Sequence, residues 1–112
     1  MKGNVFAYRD FVLIKILEDI PKVKLGDYFS LIAKADSAEI FSDKEMIETA
    51  EAFLENNLNS SETSRKMYLH RNTLLYRLEK IEKQTGLDIR KFSDAITFKT
   101  ALYLYRLIRE NK

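Results

Sequence analysis

In 112 residues the chain has no cysteine, one proline, three glycines and one histidine, and each scarcity excludes something. Without cysteine there is no disulfide, no thiolate nucleophile and no cysteine-held zinc, and a reducing compartment fits. A metal would have to rely on carboxylates and His70, and neither a metal nor a cofactor is expected. With so few chain breakers no hairpin signal appears, and every element that can be placed reads as helix. No apolar run approaches the about eighteen residues that span a bilayer, and the N-terminus lacks the basic, apolar and small-residue succession of an export signal. The expectation is a soluble, cytoplasmic protein without membrane contact.

What is present is 46% hydrophobic residues, enough for one domain over 1–112 with a core of its own. The net charge of +2 conceals two opposed blocks. Between Glu39 and Leu58 six acids face one base, a segment that repels phosphate. From Asn59 to Lys91 eight bases face four acids, the half that a polyanion prefers.

The spacing of apolar residues predicts an all-α fold, a five- or six-helix bundle containing a helix-turn-helix over about 59–84. The first helix is expected from about Ala7 to Ile20, apolar over more than half its circumference and ended by Pro21. A short second helix from Tyr28 to Ala35 fits Tyr28, Leu31, Ile32 and Ala35, with Gly26-Asp27 as its opening turn. A third starts on a capping box of Ser42 and Glu45 and buries Met46, Ile47, Ala50, Phe53 and Leu54. Asn59 and Glu62 cap a fourth over about 60–68. A fifth runs over about 71–84 and stops at Gly86, with Leu87 making the contact that accompanies such a stop. The last, from Ser93 to Glu110, carries too many apolar residues for a surface helix and is expected at the centre, packed on the first or sharing a dimer surface with it.

Two helices of about two and four turns joined by about three residues are what a DNA-reading helix-turn-helix requires, though ordinary bundles share that spacing. On the longer helix Leu74, Leu75, Leu78 and Ile81 fall on one face, which leaves Asn72, Thr73, Tyr76, Arg77, Lys80 and Lys83 outward. Arg71, Asn72 and Thr73 stand in its first turn, where arginine can clasp guanine, asparagine can pair with adenine and the threonine methyl can meet thymine. Tyr76, Arg77 and Lys80 suit phosphate, as do Arg65 and Lys66 on the shorter helix. His70 has no partner histidine or cysteine nearby, so it is read as a cap for the longer helix or a phosphate contact rather than a ligand or base. Phe92, Phe98, Tyr103 and Tyr105 are assigned to the core rather than to stacking on bases. With no Ser-His-Asp set, no glycine-rich phosphate loop and scattered carboxylates, no catalytic site can be assembled, and an enzyme is not expected.

The run Asn59, Thr63-Ser64-Arg65, Met67, then Leu69-His70-Arg71-Asn72-Thr73-Leu74, Tyr76-Arg77-Leu78, Ile81 and Thr85-Gly86 resembles the C-terminal helix-turn-helix of the PucR and CdaR regulators. The resemblance covers about Met46 to Leu107. It departs at Ser64, Met67 and Leu69, where that family favours alanine, leucine and valine. It implies a bacterial transcription regulator with His70, Arg71, Asn72, Thr73, Tyr76 and Arg77 facing DNA, a family often active on catabolic operons. It also implies an output module, either following an upstream sensor domain or standing alone. Two copies are expected to bind duplex DNA as a homodimer on an inverted repeat. The competing readings are a protein-interaction module in which the helix pair is structural, and an RNA-binding role for the basic half.

Overall fold

The computed structural model of the chain describes residues 8–34 and 37–110. Among the described residues there are seven helices and no strand: α1 (Tyr8–Glu18), α2 (Lys22–Ile32), α3 (Ala38–Phe41), α4 (Lys44–Glu55), α5 (Ser60–Met67), α6 (Arg71–Thr85) and α7 (Phe92–Glu110). This is the all-α bundle that the spacing predicts, with one more helix because the single turn α3 is too short to carry a periodic signal. None of these helices is long and apolar enough to cross a membrane.

The long helix α7 is central, as its apolar circumference requires. Its N-terminal half buries Ala95, Phe98, Ala101 and Leu102 against Ile40 and Phe41 of α3, against α4 through Met46, Ile47, Ala50 and Phe53, and against α6 through Leu74, Leu78 and Ile81. Its C-terminal half packs Tyr103 and Leu104 against Leu17 of α1 and Leu25 of α2. Phe29 touches both clusters and meets Phe41 edge-on at 5.3 Å between ring centres, while Phe41 stacks on Phe98 at 5.2 Å. Burying side chains of this size yields roughly 1.5–3 kcal/mol each, which is why the ends of the bundle are held together through one aromatic seam. Asp10 ties α1 to α7, accepting from Lys99 at 2.9 Å and from the Tyr103 hydroxyl at 3.4 Å. Burial and the Asp10 charge push the Tyr103 phenol well above its usual range.

Three expectations are corrected here. The second helix starts at Lys22 rather than Tyr28, because Pro21 both ends α1 and caps α2, its carbonyl accepting from Lys24 N at 2.8 Å. Gly26 therefore lies inside α2, and the buried stripe is Leu25, Phe29 and Ile32, with Leu31 81% exposed; Ala35, like Ala7, lies outside the described residues. The cap of α4 is Asp43, whose Oδ1 accepts from Met46 N at 3.2 Å, whereas Ser42 donates backward to the Glu39 carbonyl. The last correction is Phe92, which is 73% exposed: as the first residue of α7 it precedes the buried stripe. Phe98 and Tyr103 are in the core as expected, and Tyr105 is half-buried against it.

Candidate nucleic-acid interface

The pair α5 and α6 is built by local hydrogen bonding at each of its four ends. Asn59 Oδ1 accepts from Glu62 N at 2.9 Å, which satisfies an orphan donor at the start of α5. At the other end Tyr68 adopts the left-handed conformation, with φ 56°, and Leu69 N donates back to the Ser64 carbonyl at 2.9 Å. This closes α5 within one residue and turns the chain, and His70 then caps α6 as its Nδ1 accepts from Asn72 N at 3.0 Å. Gly86, at φ 82°, ends α6, its N–H donating to the Glu82 carbonyl at 2.8 Å, and Leu87 packs against the core.

The pair is seated on the core by different means. α6 buries Leu74, Leu78, Ile81 and Thr85, while α5 buries only Thr63 and Ser64 and so lies close to its neighbours. Thr63 satisfies its hydroxyl by donating to the Asn59 carbonyl at 2.7 Å. Ser64 Oγ is buried with no hydrogen-bond partner among the described residues.

The outward side chains divide into two groups. His70, Arg71 and Asn72 are exposed at the start of α6, where with Ser60, Leu74 and Leu75 they line an open cleft of about 370 Å³ between the two helix starts. Tyr76 is 63% exposed one turn further, and Thr73 and Lys80 are half-buried on the flank of the same face. On α5, Lys66 and Arg65 are exposed, and Arg65 forks onto Glu62, with Nε to Oε1 at 3.1 Å and Nη2 to Oε2 at 2.9 Å. That hydrogen bonding holds the Glu62 carboxyl below its usual range, but the pair is solvated, so a phosphate can displace it at little cost.

Arg77 does not join them. Its side chain is 15% exposed and is turned onto α4, where Nη1 donates to Thr49 Oγ1 at 2.9 Å and Nη2 lies 3.3 Å from Glu45 Oε2. The reason is its register: Arg77 follows Leu74 by three residues and precedes Ile81 by four, which places it at the edge of the buried stripe. Leu75 is displaced the other way, to 43% exposure, about 90° around from that stripe. The expected face therefore loses Arg77 and gains Leu75.

Tyr68 is a residue that the sequence reading missed. It is 94% exposed at the turn between the helices, two residues before His70 in the chain. Its neighbours one turn back, Ser64 and Arg65, offer an aromatic ring nothing to pack on, and that was the available signal.

The profile of the PucR C-terminal helix-turn-helix domain matches residues 46–104, which spans α4 to the middle of α7. The chain is 29% identical over 113 residues to the purine catabolism regulatory protein of Bacillus subtilis, covering 95% of this chain and 21% of that protein. It is 41% identical over 56 residues to the carbohydrate diacid regulator of Escherichia coli, half of this chain and 14% of the relative. The DNA-binding transcriptional activator AdeR of B. subtilis is 24% identical over 96 residues, 84% of this chain and 23% of the relative. The chain thus spans about a fifth of the length of the first curated relatives it matches. No solved structure matches it significantly. The two linked helices, their caps and the extent of the match together place this chain in the PucR C-terminal helix-turn-helix family of DNA-binding transcription-regulator domains.

Proposed function

We propose that α6 lies in the major groove of duplex DNA, with Arg71, Asn72 and Thr73 at base edges and Tyr76 and Lys80 toward the backbone, while α5 crosses the backbone with Arg65 and Lys66 on phosphate. The observation that carries this is the cleft at the two helix starts, where His70, Arg71 and Asn72 stand exposed together on caps that leave their side chains at the surface. Helix starts also present backbone N–H groups, which suit a phosphate.

One copy makes few base contacts, so two act together on an inverted repeat whose half-sites lie about one turn, roughly 10 bp, apart. The names of the relatives support control of catabolic genes, and their greater length supports an upstream sensor domain whose signal this module converts into DNA occupancy. The chain works by binding in the cytoplasm, not by catalysis, a reading that the relatives named as transcription regulators support.

The test is fluorescence anisotropy of a labelled duplex, titrated with the wild-type chain and with Lys66→Ala/Arg71→Ala at several salt concentrations. Wild-type affinity should fall steeply with salt, and the double variant should bind more weakly with a shallower salt slope, by about one for each phosphate no longer neutralised. Equal binding by the two proteins, or none at low salt, would leave the helix pair structural.

A further inference from the structure

We infer that Leu75 is a base-reading residue whose side chain meets the 5-methyl group of a thymine in the major groove. This assignment rests on the reading of α6 as the helix in the groove, and it names one base that the helix recognises.

Leu75 stands apart from the stripe that seats α6. Leu74, Leu78 and Ile81 are buried, whereas Leu75 is 43% exposed and lines the cleft with His70, Arg71 and Asn72. The fold therefore recovers only part of what burying a leucine yields. At about 100° per residue, Leu75 is turned about 40° from Arg71 and about 60° from Asn72, and so lies between them around the helix, one turn further on. Side chains three and four residues apart on a helix are surface neighbours, so whatever Arg71 and Asn72 face, Leu75 faces too.

The chemistry of this side of α6 selects bases over backbone. The row Arg71, Leu75 continues four residues on to Glu79, which is exposed. Leucine has nothing to offer a phosphate and a carboxylate is repelled by one, so the middle of this face is unsuited to the sugar-phosphate chain. On base edges in the major groove the apolar group is the thymine methyl. A leucine against it takes two apolar surfaces out of water, whereas against the other edges it would strip donors and acceptors without replacing their hydrogen bonds. Thr73 offers the other methyl in reach, but it is half-buried.

The test starts by selecting a duplex from a randomised library with the full wild-type chain. Each thymine of the selected duplex is then replaced in turn by uracil, which removes the methyl group and nothing else. Anisotropy titrations compare the thymine and uracil duplexes for wild type, Leu75→Ala and Thr73→Ser. Wild type should bind about fourfold more weakly when uracil stands at the contacted position, the effect of one buried methyl group. Leu75→Ala should bind both duplexes alike, and Thr73→Ser should keep the wild-type ratio. Because the readout is a ratio, a general loss of folding or of phosphate contacts does not move it. A selection that enriches no sequence or one without thymine, a wild type indifferent to uracil at every position, or a Leu75→Ala variant that keeps the ratio would overturn the assignment. In each of these cases duplex binding that weakens with salt leaves the DNA reading standing. A wild-type chain that binds no duplex at low salt would overturn both.

Discussion

Arg77 Nη1 donates to Thr49 Oγ1 at 2.9 Å, and this bond ties α6 to α4 at the edge of the buried Leu74–Leu78–Ile81 stripe. Thr49 is fully buried and donates its own proton to the Glu45 carbonyl at 2.9 Å, so its oxygen is oriented to accept from the guanidinium. The ion pair to Glu45 adds little, because that carboxylate is 72% exposed. Arg77→Ala should therefore cost about 2 kcal/mol, the worth of a hydrogen bond to a charged group, read as a lower urea midpoint. Its salt slope on DNA should match wild type wherever the variant is folded. Arg71→Ala should show the opposite pattern, with unchanged stability and weakened binding.

Ser64 gives a prediction of opposite sign. Its buried hydroxyl lacks a partner among the described residues, so folding strips it of water without recompense. Ser64→Ala should raise stability by about 1 kcal/mol, or Tm by roughly 4 °C. A calorimetric scan that shows no gain would mean that the hydroxyl is satisfied in solution. DNA affinity should be unaffected, since the side chain faces the core.

The difference between Arg77 and Ser64 also shows how far the sequence could be read. Helix identity and the pairing of α5 with α6 were legible because caps and stripes are local: Asn59, His70, Gly86 and the Leu74–Leu78–Ile81 stripe act within one or two turns of themselves. Which side of that stripe Arg77 joins was not legible, because it depends on Thr49, 28 residues away. The opening of α2 was hidden for a related reason. Gly26 suggests a turn, but a glycine inside a helix costs only about 1 kcal/mol, and burial of Leu25 and Phe29 against α7 and its neighbours outweighs that.

At Gly86 the backbone sets the cost. With φ at 82°, any Cβ is strained, while the space is open enough that the nearest atom to an added methyl would be Lys34 Cε at 3.7 Å. Gly86→Ala should destabilise by about 1 kcal/mol through backbone strain alone. A loss several times larger in urea denaturation would point to a packing clash instead.

Asp88 makes stability depend on pH. Its Oδ1 accepts from Arg90 N at 3.1 Å and Nε at 2.7 Å in the link from α6 to α7, and the guanidinium holds the carboxyl below its usual range. Because the folded carboxyl titrates below the unfolded one, the unfolded chain binds more protons between the two values, and stability rises with pH across that window. The contribution is complete above the unfolded value and is lost as the pH falls through the folded one. Asp88→Asn should thus be less stable than wild type at neutral pH, with the deficit shrinking from about pH 5 downward in urea titrations. Glu55 supplies the contrast, since burial and the neighbouring Glu51 push its carboxyl up. Its charge therefore opposes folding at neutral pH, so Glu55→Gln should be more stable than wild type there, and that gain should also vanish in acid. A deficit for Asp88→Asn that stayed constant with pH would show that hydrogen-bond geometry, not charge, holds the α6–α7 link.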